Sequence, residues 1–315
     1  MSITLHMQPK TPPVQWNDFR TSYPPFSIAI DGFVYGGPEF DPSGPHLNIN
    51  HHEEVKRLQT RASCAQALIL VRQGLFEAFR DDHGPYANIY GNDCDEDVCT
   101  TWTILKHNHL VLPVMNPMFN RLVEIEEKLD TTAGAYPYPS NLPILRELAW
   151  IYNPYRMFRL SGGLMRRDEK EFLDVVVNVE HRILKHIVGQ GEGIDLDVRY
   201  DVIGGGKGWV MVKELGAHAR TGMYADGIRA FISIRERGNG FFDYTLGRMS
   251  EFISHFNIPA LGRKLNSLEC CTDDAWGGGD TIHGSPRIRG SALNPRELET
   301  FVNQELAVKS PTPTH

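Results

Sequence analysis

Acidic and imidazole side chains follow several apolar runs in the N-terminal half of this chain. They are Asp31 at the end of FSIAID, His51 and His52 after GPHLNIN, Asp95 and Asp97 in NDCDED at 92–97, and Asp130 in KLDTTAG. Carboxylates with neighbouring imidazoles are the ligands that hard or borderline divalent metals use in proteins. A pair of such metals activates water and stabilises charge on a phosphoryl group. The residue types therefore predict a metal site that acts on a phosphate ester.

Each of these groups also has a simpler interpretation. A neighbouring histidine pair is commonly solvated or structural, and carboxylates at a helix N-terminus are favoured by the helix dipole. Asp130 could simply end its helix. Several carboxylates just after a strand exceed what a helix start needs, however, and the histidines lie between Asp31 and that cluster in the sequence. We therefore favour metal or phosphate binding by His51 and His52, and metal ligation by Asp95 and Asp97.

Glycines, hydroxyls and two arginines are concentrated in WGGGDTIHGSPRIRG, residues 276–290. Backbone N–H groups exposed by glycines can form an anion-binding nest, and arginine binds phosphate or carboxylate bidentately. The alternative is a Gly-rich surface loop, but the density of donors favours anion binding. GGGKG at 204–208 lacks the spacing of a P-loop and lies between two strand-like runs, so we predict a hairpin there.

The composition narrows the functional classes. The chain has 315 residues, 41% of them apolar, and a net charge of −7 with a pI near 6.0, which argues against binding long duplex nucleic acid through a basic face. No apolar stretch approaches the roughly 20 residues of a membrane span. The cysteines form no CxxC pair and no signal-like segment opens the sequence, so we expect a reducing, cytoplasmic environment and interpret Cys270-Cys271 as two unpaired thiols. The sequence is compatible with a homodimer but does not indicate an oligomeric state.

Alternating strand and helix patterns predict an α/β fold with a largely parallel sheet in the first part of the chain. We predict an irregular Pro-rich arm at 1–24, strands at PFSIAI, GPHLNIN, ANIY and 110–114, and helices at 55–79, 98–107 and 121–129. In such a sheet, ligand groups gather at the carboxyl ends of the strands.

An amphipathic pattern over 168–188, followed by Gly189, predicts a long helix that connects two domains. The strand-like runs DVRYDVI, GWVMVKE, IRAFISIRE and FFDYTLGRM follow it and predict a smaller, more antiparallel α+β domain. We therefore divide the chain into a metal-binding catalytic domain at 1–165, a connector helix at 166–194, a substrate-binding domain at 195–307 and a disordered tail at 308–315.

Together these segments resemble the DHH phosphoesterase superfamily with its C-terminal DHH-associated domain. The likeness is strongest to the DHH-like exonuclease branch sometimes called melanocyte-proliferating-gene proteins. The segment from IAIDGF through the histidine pair is similar to the stretch that joins the superfamily's second-motif Asp to its DHH triplet. NDCDED resembles the first motif, HxxxDxD; KLDTTAG resembles the fourth motif; and 276–290 resembles the GGGHxxAxG segment of the associated domain. The motif order is permuted, because the first-motif likeness follows the triplet.

The resemblance implies a role for each residue. Asp31 would bridge two Mn²⁺ or Mg²⁺ ions, and His52 would contact the scissile phosphate. Asp95 would bind the first ion, while Asp97, His51 and Asp130 would bind the second. The substrate would also be held by Gly278, Gly279, His283, Ser285, Arg287 and Arg289. The chain differs from the superfamily pattern at Asn50, where the triplet has Asp, at Gly91, where the first motif has His, and at Asp280, where His follows the glycine run.

These expectations describe a two-domain, metal-dependent phosphoesterase that hydrolyses a small phosphodiester, a short oligonucleotide or a nucleotide phosphate. The rival hypothesis is a non-catalytic nucleotide- or phosphate-binding protein with a degenerate metal site. Both require the carboxylates and the His51 ring to surround one small volume at the end of the sheet.

Overall fold

The chain has a mixed α/β fold made of two compact units. The computed structural model describes residues 2–112, 116–132, 134–237 and 239–307. The first unit comprises the described residues up to Thr131 together with Pro143–Asp195, and the second comprises those of Thr132–Leu142 and those from Leu196 onward. The tail that we predict at 308–315 lies outside the described residues.

The first unit alternates strands with helices. Its strands are β1 (Ser2–Met7), β2 (Val14–Gln15), β3 (Ser27–Ile30), β4 (Val34–Tyr35), β5 (Glu39–Asp41), β6 (His46–Ile49), β7 (Arg80–Asp81) and β8 (Gly84–Gly91). Its helices are α1 (Trp16–Ser22), α2 (Ser63–Arg72), α3 (Leu75–Ala78), α4 (Glu96–Lys106), α5 (Asn108–Val111), α6 (Pro117–Thr131), α7 (Pro143–Ile151), α8 (Asn153–Leu160), α9 (Gly163–Arg166) and α10 (Glu169–Ile187).

A largely parallel sheet positions the candidate ligands. Its strand order is β1-β8-β3-β6-β5, with β5 antiparallel at the edge. Every residue of β3 and β6 is buried, as expected for strands covered on both faces. Ile30 pairs with Ile49 where these two strands end. Asp31 and Asn50 therefore leave the sheet at the same edge.

The helix that we predict as a connector packs within the first unit. α10 contacts α4, α7 and α8, and it buries the stripe formed by Phe172, Val176, Val179 and Ile183. The amphipathic pattern identifies the buried face of this helix correctly. It does not identify the partner, because an apolar stripe is satisfied equally by a domain core or by an interface.

The predicted N-terminal arm is wrong. β1 pairs in parallel with β8 from Ser2 opposite Tyr86 to Met7 opposite Gly91, and α1 buries Phe19. The prolines that suggested an irregular arm lie outside both elements, whereas SITLHM carries the alternation of a strand.

Two other predicted elements differ from the structure. The helix predicted at 55–79 begins only at Ser63 and breaks after Arg72, so residues 51–62 form turns near the histidines. The strand predicted at 110–114 overlaps α5, and its residues 113 and 114 lie outside the described part of the chain.

The second unit is built on a mainly antiparallel sheet with the order β13-β14-β12-β11-β10-β9. Its elements are β9 (Tyr200–Gly206), β10 (Trp209–Glu214), α11 (Ala219–Ala225), β11 (Ala230–Glu236), β12 (Phe242–Arg248), α12 (Ile258–Leu268), β13 (Gly277–Gly278), β14 (Ile282–Gly284) and α13 (Pro295–Ala307). The helix α11 joins the parallel pair β10 and β11. GGGKG forms the predicted hairpin, in which Gly206 pairs with Trp209.

Candidate metal centre

Asp31 follows β3 in a left-handed backbone conformation. Its φ is 44°, and that of the next residue, Gly32, is 79°. Such a conformation is uncommon outside glycine, although Asp tolerates it better than most residues. The Asp31 residue is 5% exposed, and its Oδ1 lies 2.6 Å from His52 Nε2 and 3.2 Å from His51 Nε2. The turn after β3 therefore brings one carboxylate to both imidazoles.

Asn50 fixes the turn that carries the two histidines. It is fully buried, and its Oδ1 accepts the backbone N–H groups of the next two residues at 2.8 and 3.1 Å. Its Nδ2 donates to the carbonyl oxygens of Val34 (3.1 Å) and Gly36 (2.9 Å) and to Glu53 Oε2 (2.8 Å). A carboxylate at this position could accept the two backbone N–H groups, but it could not donate to the two carbonyl oxygens or to Glu53. The asparagine that departs from the DHH pattern is thus suited to the turn it occupies.

Asp97 links the first turn of α4 to the start of α2. Its Oδ2 accepts from the backbone N–H of Ser63 and its Oδ1 from that of Cys64, both at 2.7 Å. The first N–H groups of a helix have no partner inside that helix, so the carboxylate serves as a cap from another element. The Oδ2 atom also lies 3.6 Å from His51 Nε2. One side chain therefore has both a structural contact and a place in the centre.

His51 Nε2 is surrounded by three carboxylates. It lies 3.0 Å from Asp130 Oδ2, 3.2 Å from Asp31 Oδ1 and 3.6 Å from Asp97 Oδ2. The residue is fully buried, yet neither ring nitrogen makes a well-directed hydrogen bond within the described part of the chain. Orphaned buried polar atoms are rare in native proteins. An imidazole nitrogen gathered with carboxylate oxygens in one small volume is a set that a divalent ion satisfies.

Two overlapping groups of side chains fit a metal ion. One is Asp31, His51 and His52, the other is His51, Asp97 and Asp130, and in each the ligand atoms lie within 4.8 Å of one another. The two groups share His51, whose Nε2 is contacted by Asp31 from one group and by Asp97 and Asp130 from the other. The structure thus brings together four of the five predicted ligands.

Asp95 is the predicted ligand that lies outside both groups. Its carboxylate caps α4 by accepting the backbone N–H of Val98 at 3.0 Å. Burial and the nearby charge of Asp31 raise its pKa well above the usual range. At Gly91, where the superfamily motif has His, an added Cβ would lie 3.4 Å from Ile30 Cγ1. The first of the two predicted metal positions therefore lacks its imidazole, and its carboxylate serves as a helix cap.

Asp130, near the end of α6, binds a cation from the chain itself. Arg57 Nη2 lies 3.2 Å from Asp130 Oδ2, 3.3 Å from Oδ1 and 3.2 Å from the backbone oxygen. Sequence reasoning missed Arg57 because it assigned the residue to a helix at 55–79. The available signal was a basic residue shortly after the histidine pair.

Opposite charges set the protonation of the buried groups. Burial alone would raise the pKa of Asp31, but His52 and His51 hold it well below its usual range. Burial alone would lower the pKa of His51, but Asp130 and Asp31 raise it to about 10. Burial together with the charges of Asp31 and Asp130 raises the pKa of Asp97 to about 6. A protonated His51 therefore balances part of the carboxylate charge when no metal is bound.

The predicted anion-binding segment forms a short hairpin at the edge of the second sheet. Gly278 in β13 pairs with His283 in β14. His283 is buried, with Nδ1 2.9 Å from the carbonyl oxygen of Gly279, and the buried Ser285 accepts the backbone N–H of Tyr244 through its Oγ at 3.0 Å. His283 therefore bonds within the hairpin and Ser285 ties it to β12, while Gly278 is exposed and Gly279 partly exposed.

The two arginines of the segment have different surroundings. Arg287 is exposed, whereas Arg289 Nη2 donates to the backbone oxygen of Glu269 at 3.1 Å and contacts Cys271 Sγ at 2.8 Å. The backbone N–H of Arg289 donates to Asp274 Oδ2 at 2.8 Å. Both residues are exposed, and the guanidinium of Arg289 is bound to its own unit.

Comparison with known proteins does not assign the chain to a family. No family model, no curated protein and no solved structure gives a match. Among the residues described, no helix is both long and apolar enough to cross a membrane. The geometry around His51 is therefore the basis for a functional proposal.

Proposed function

We propose that this protein is a metal-dependent phosphoesterase related to the DHH superfamily. The substrate is a small phosphodiester, a short oligonucleotide or a nucleotide phosphate. The observation that carries the proposal is the cluster of three carboxylate oxygens within 3.6 Å of the buried Nε2 of His51. Asp31, His51, Asp97 and Asp130 would hold a Mn²⁺ or Mg²⁺ ion. A bound ion would supply an activated water and neutralise charge on the phosphoryl group.

His52 is the imidazole suited to contact the ester. Its side chain is 28% exposed, and its Nε2 lies 2.6 Å from Asp31 Oδ1. Burial alone would lower the pKa of His52, but Asp31 raises it above its usual value and so favours the protonated ring. A protonated imidazole can bind a phosphoryl oxygen and donate a proton to a leaving group. Asp31 orients this ring.

The proposal is tested with a substrate panel of dinucleotides, cyclic dinucleotides, mononucleotides and pyrophosphate. Hydrolysis is expected with Mn²⁺, is expected to stop with a chelator, and is expected to return when Mn²⁺ is restored. Failure of the wild-type protein to bind Mn²⁺, measured by calorimetry, would reject the metal centre.

The incomplete ligand set at the first metal position favours a second candidate function. Gly91 provides no imidazole there, and Asp95 caps a helix. A protein with such a centre could bind a nucleotide or phosphate without cleaving it. Binding of Mn²⁺ and of nucleotide, with no turnover of any substrate in the panel, would favour this function over hydrolysis.

A further inference from the structure

The guanidinium of Arg57 has unused hydrogen-bonding capacity beside the metal centre. Its hydrogen bonds to described residues all come from Nη2 and all go to Asp130. Its Nε is buried and has no hydrogen-bond partner in the described part of the chain. The side chain is 11% exposed, so the group is held in the site and remains reachable. A guanidinium has five N–H donors in a planar fork, and a buried donor without an acceptor is costly.

Arg57 and His52 are attached to one carboxylate cluster. Arg57 contacts Asp130, His52 contacts Asp31, and both carboxylates contact His51 Nε2. A guanidinium and an imidazole are therefore held next to the same carboxylates. A tetrahedral oxyanion is the kind of ligand that suits a guanidinium fork beside an imidazole N–H.

We propose that Arg57 binds the phosphoryl group of the substrate while its Nη2 remains on Asp130. The inference rests on the proposed metal-dependent phosphoesterase function and adds a recognition residue within the first unit. The arginine is fixed by its ion pair, so little side-chain entropy is lost when an oxyanion binds. Arg57 thereby supplies a positive charge for phosphate binding, a role that we predicted from the sequence only for the arginines of the 276–290 segment.

Calorimetric titration with inorganic phosphate tests this role in the full-length protein, with and without Mn²⁺. Arg57→Met removes the charge and the fork, and Arg61→Met is the matched control. Arg61 lies in the same segment and pairs with the same helix, since its Nη1 is 3.0 Å from Glu127 Oε1, but its side chain is 56% exposed. Arg57→Met is expected to weaken phosphate binding about tenfold or more. Arg61→Met is expected to stay within twofold of wild type.

Titration with Mn²⁺ distinguishes failure of the proposed metal centre from failure of the proposed role of Arg57. Arg57→Met is expected to bind Mn²⁺ at least as tightly as wild type, because a positive charge is removed from Asp130. Unchanged phosphate affinity in Arg57→Met with intact Mn²⁺ binding would overturn the role of Arg57 alone, as would a wild type that binds Mn²⁺ but no phosphate. A wild type without Mn²⁺ binding would refute the metal centre. The phosphate titrations without Mn²⁺ would then test Arg57 separately: a tenfold weaker affinity in Arg57→Met would support its role, and an unchanged affinity would overturn it.

Circular dichroism shows whether Arg57→Met folds. If it does not, Arg57→Lys keeps the charge and loses the fork. That variant is expected to bind phosphate at least about threefold more weakly with unchanged Mn²⁺ affinity. Phosphate affinity equal to wild type would overturn the proposal.

Discussion

Replacing Asn50 by aspartate, the residue that heads the DHH triplet, should destabilise this protein. The substitution removes a donor that serves the carbonyl oxygens of Val34 and Gly36 and the Oε2 of Glu53 at 3.1, 2.9 and 2.8 Å. One amide has two hydrogens, so about two hydrogen bonds are lost, and leaving a buried group unsatisfied costs roughly 1–3 kcal/mol. The new carboxylate would also face Glu53. We expect a loss of at least about 3 kcal/mol, or a Tm lowered by roughly 6–12 °C for a domain of this size.

Thermal and denaturant unfolding of Asn50→Asp, each compared with wild type, measure this loss. Asn116→Asp is the control, since Asn116 uses its Oδ1 as an acceptor for the backbone N–H of Phe119 at 3.0 Å, which a carboxylate can also do. The control should stay within about 0.5 kcal/mol of wild type. If the two variants were equally stable, the asparagine would not be required by this turn, and the explanation of its departure from the DHH pattern would be refuted.

Three further predictions concern catalysis and pH. Asp31→Asn keeps the left-handed turn but removes a ligand charge, so hydrolysis with Mn²⁺ should fall by more than about 100-fold while circular dichroism stays that of the folded protein; a rate near wild type would show that Asp31 is not a ligand. Burial alone would raise the pKa of Glu180, but hydrogen bonds from His107, Lys106 and Trp102 lower it to about 2. The ionised group therefore contributes roughly 3 kcal/mol to the free energy of unfolding. This contribution is present above the unfolded pKa near 4.5 and is lost as the pH falls toward 2. The difference in unfolding free energy between wild type and Glu180→Gln should therefore shrink over that range, and a constant difference would contradict the assignment. Arg287→Ala should lower kcat/KM about 10- to 150-fold with Mn²⁺ affinity unchanged, and kinetics within twofold of wild type would refute the predicted role of Arg287 in holding the substrate.

Strand ends were predictable from the sequence because they depend on local pattern. The apolar runs before Asp31 and the histidine pair mark β3 and β6, and a parallel sheet places their ends at one edge. The alternation in SITLHM carried the same information for β1, but the prolines that follow it outweighed that pattern in our interpretation.

The partners of individual side chains were not predictable in this way. Asp95 and Asp97 have the same chemistry and lie two positions apart, yet one caps its own helix and the other reaches the start of α2. Which one enters the centre depends on the rotation of α4 and on where α2 begins. The contact between Arg57 and Asp130 likewise joins residues far apart in sequence, through a segment whose turns carry no periodic pattern.

The hydrogen bonds of Asp97 show how the proposed metal ligands would be held in position without a metal. Its two oxygens hold the backbone of Ser63 and Cys64, and the Oγ of Ser63 donates to the carbonyl oxygen of Ile49 at the end of β6. The start of α2 is therefore tied both to a ligand and to the strand that carries His51. Burial and the neighbouring carboxylates raise the pKa of Asp97 to about 6, so its charge costs more here than in water although the group is mostly ionised at neutral pH. A bound cation would offset that cost, and hydrogen bonds that hold the proposed ligands in place are what a preorganised site requires.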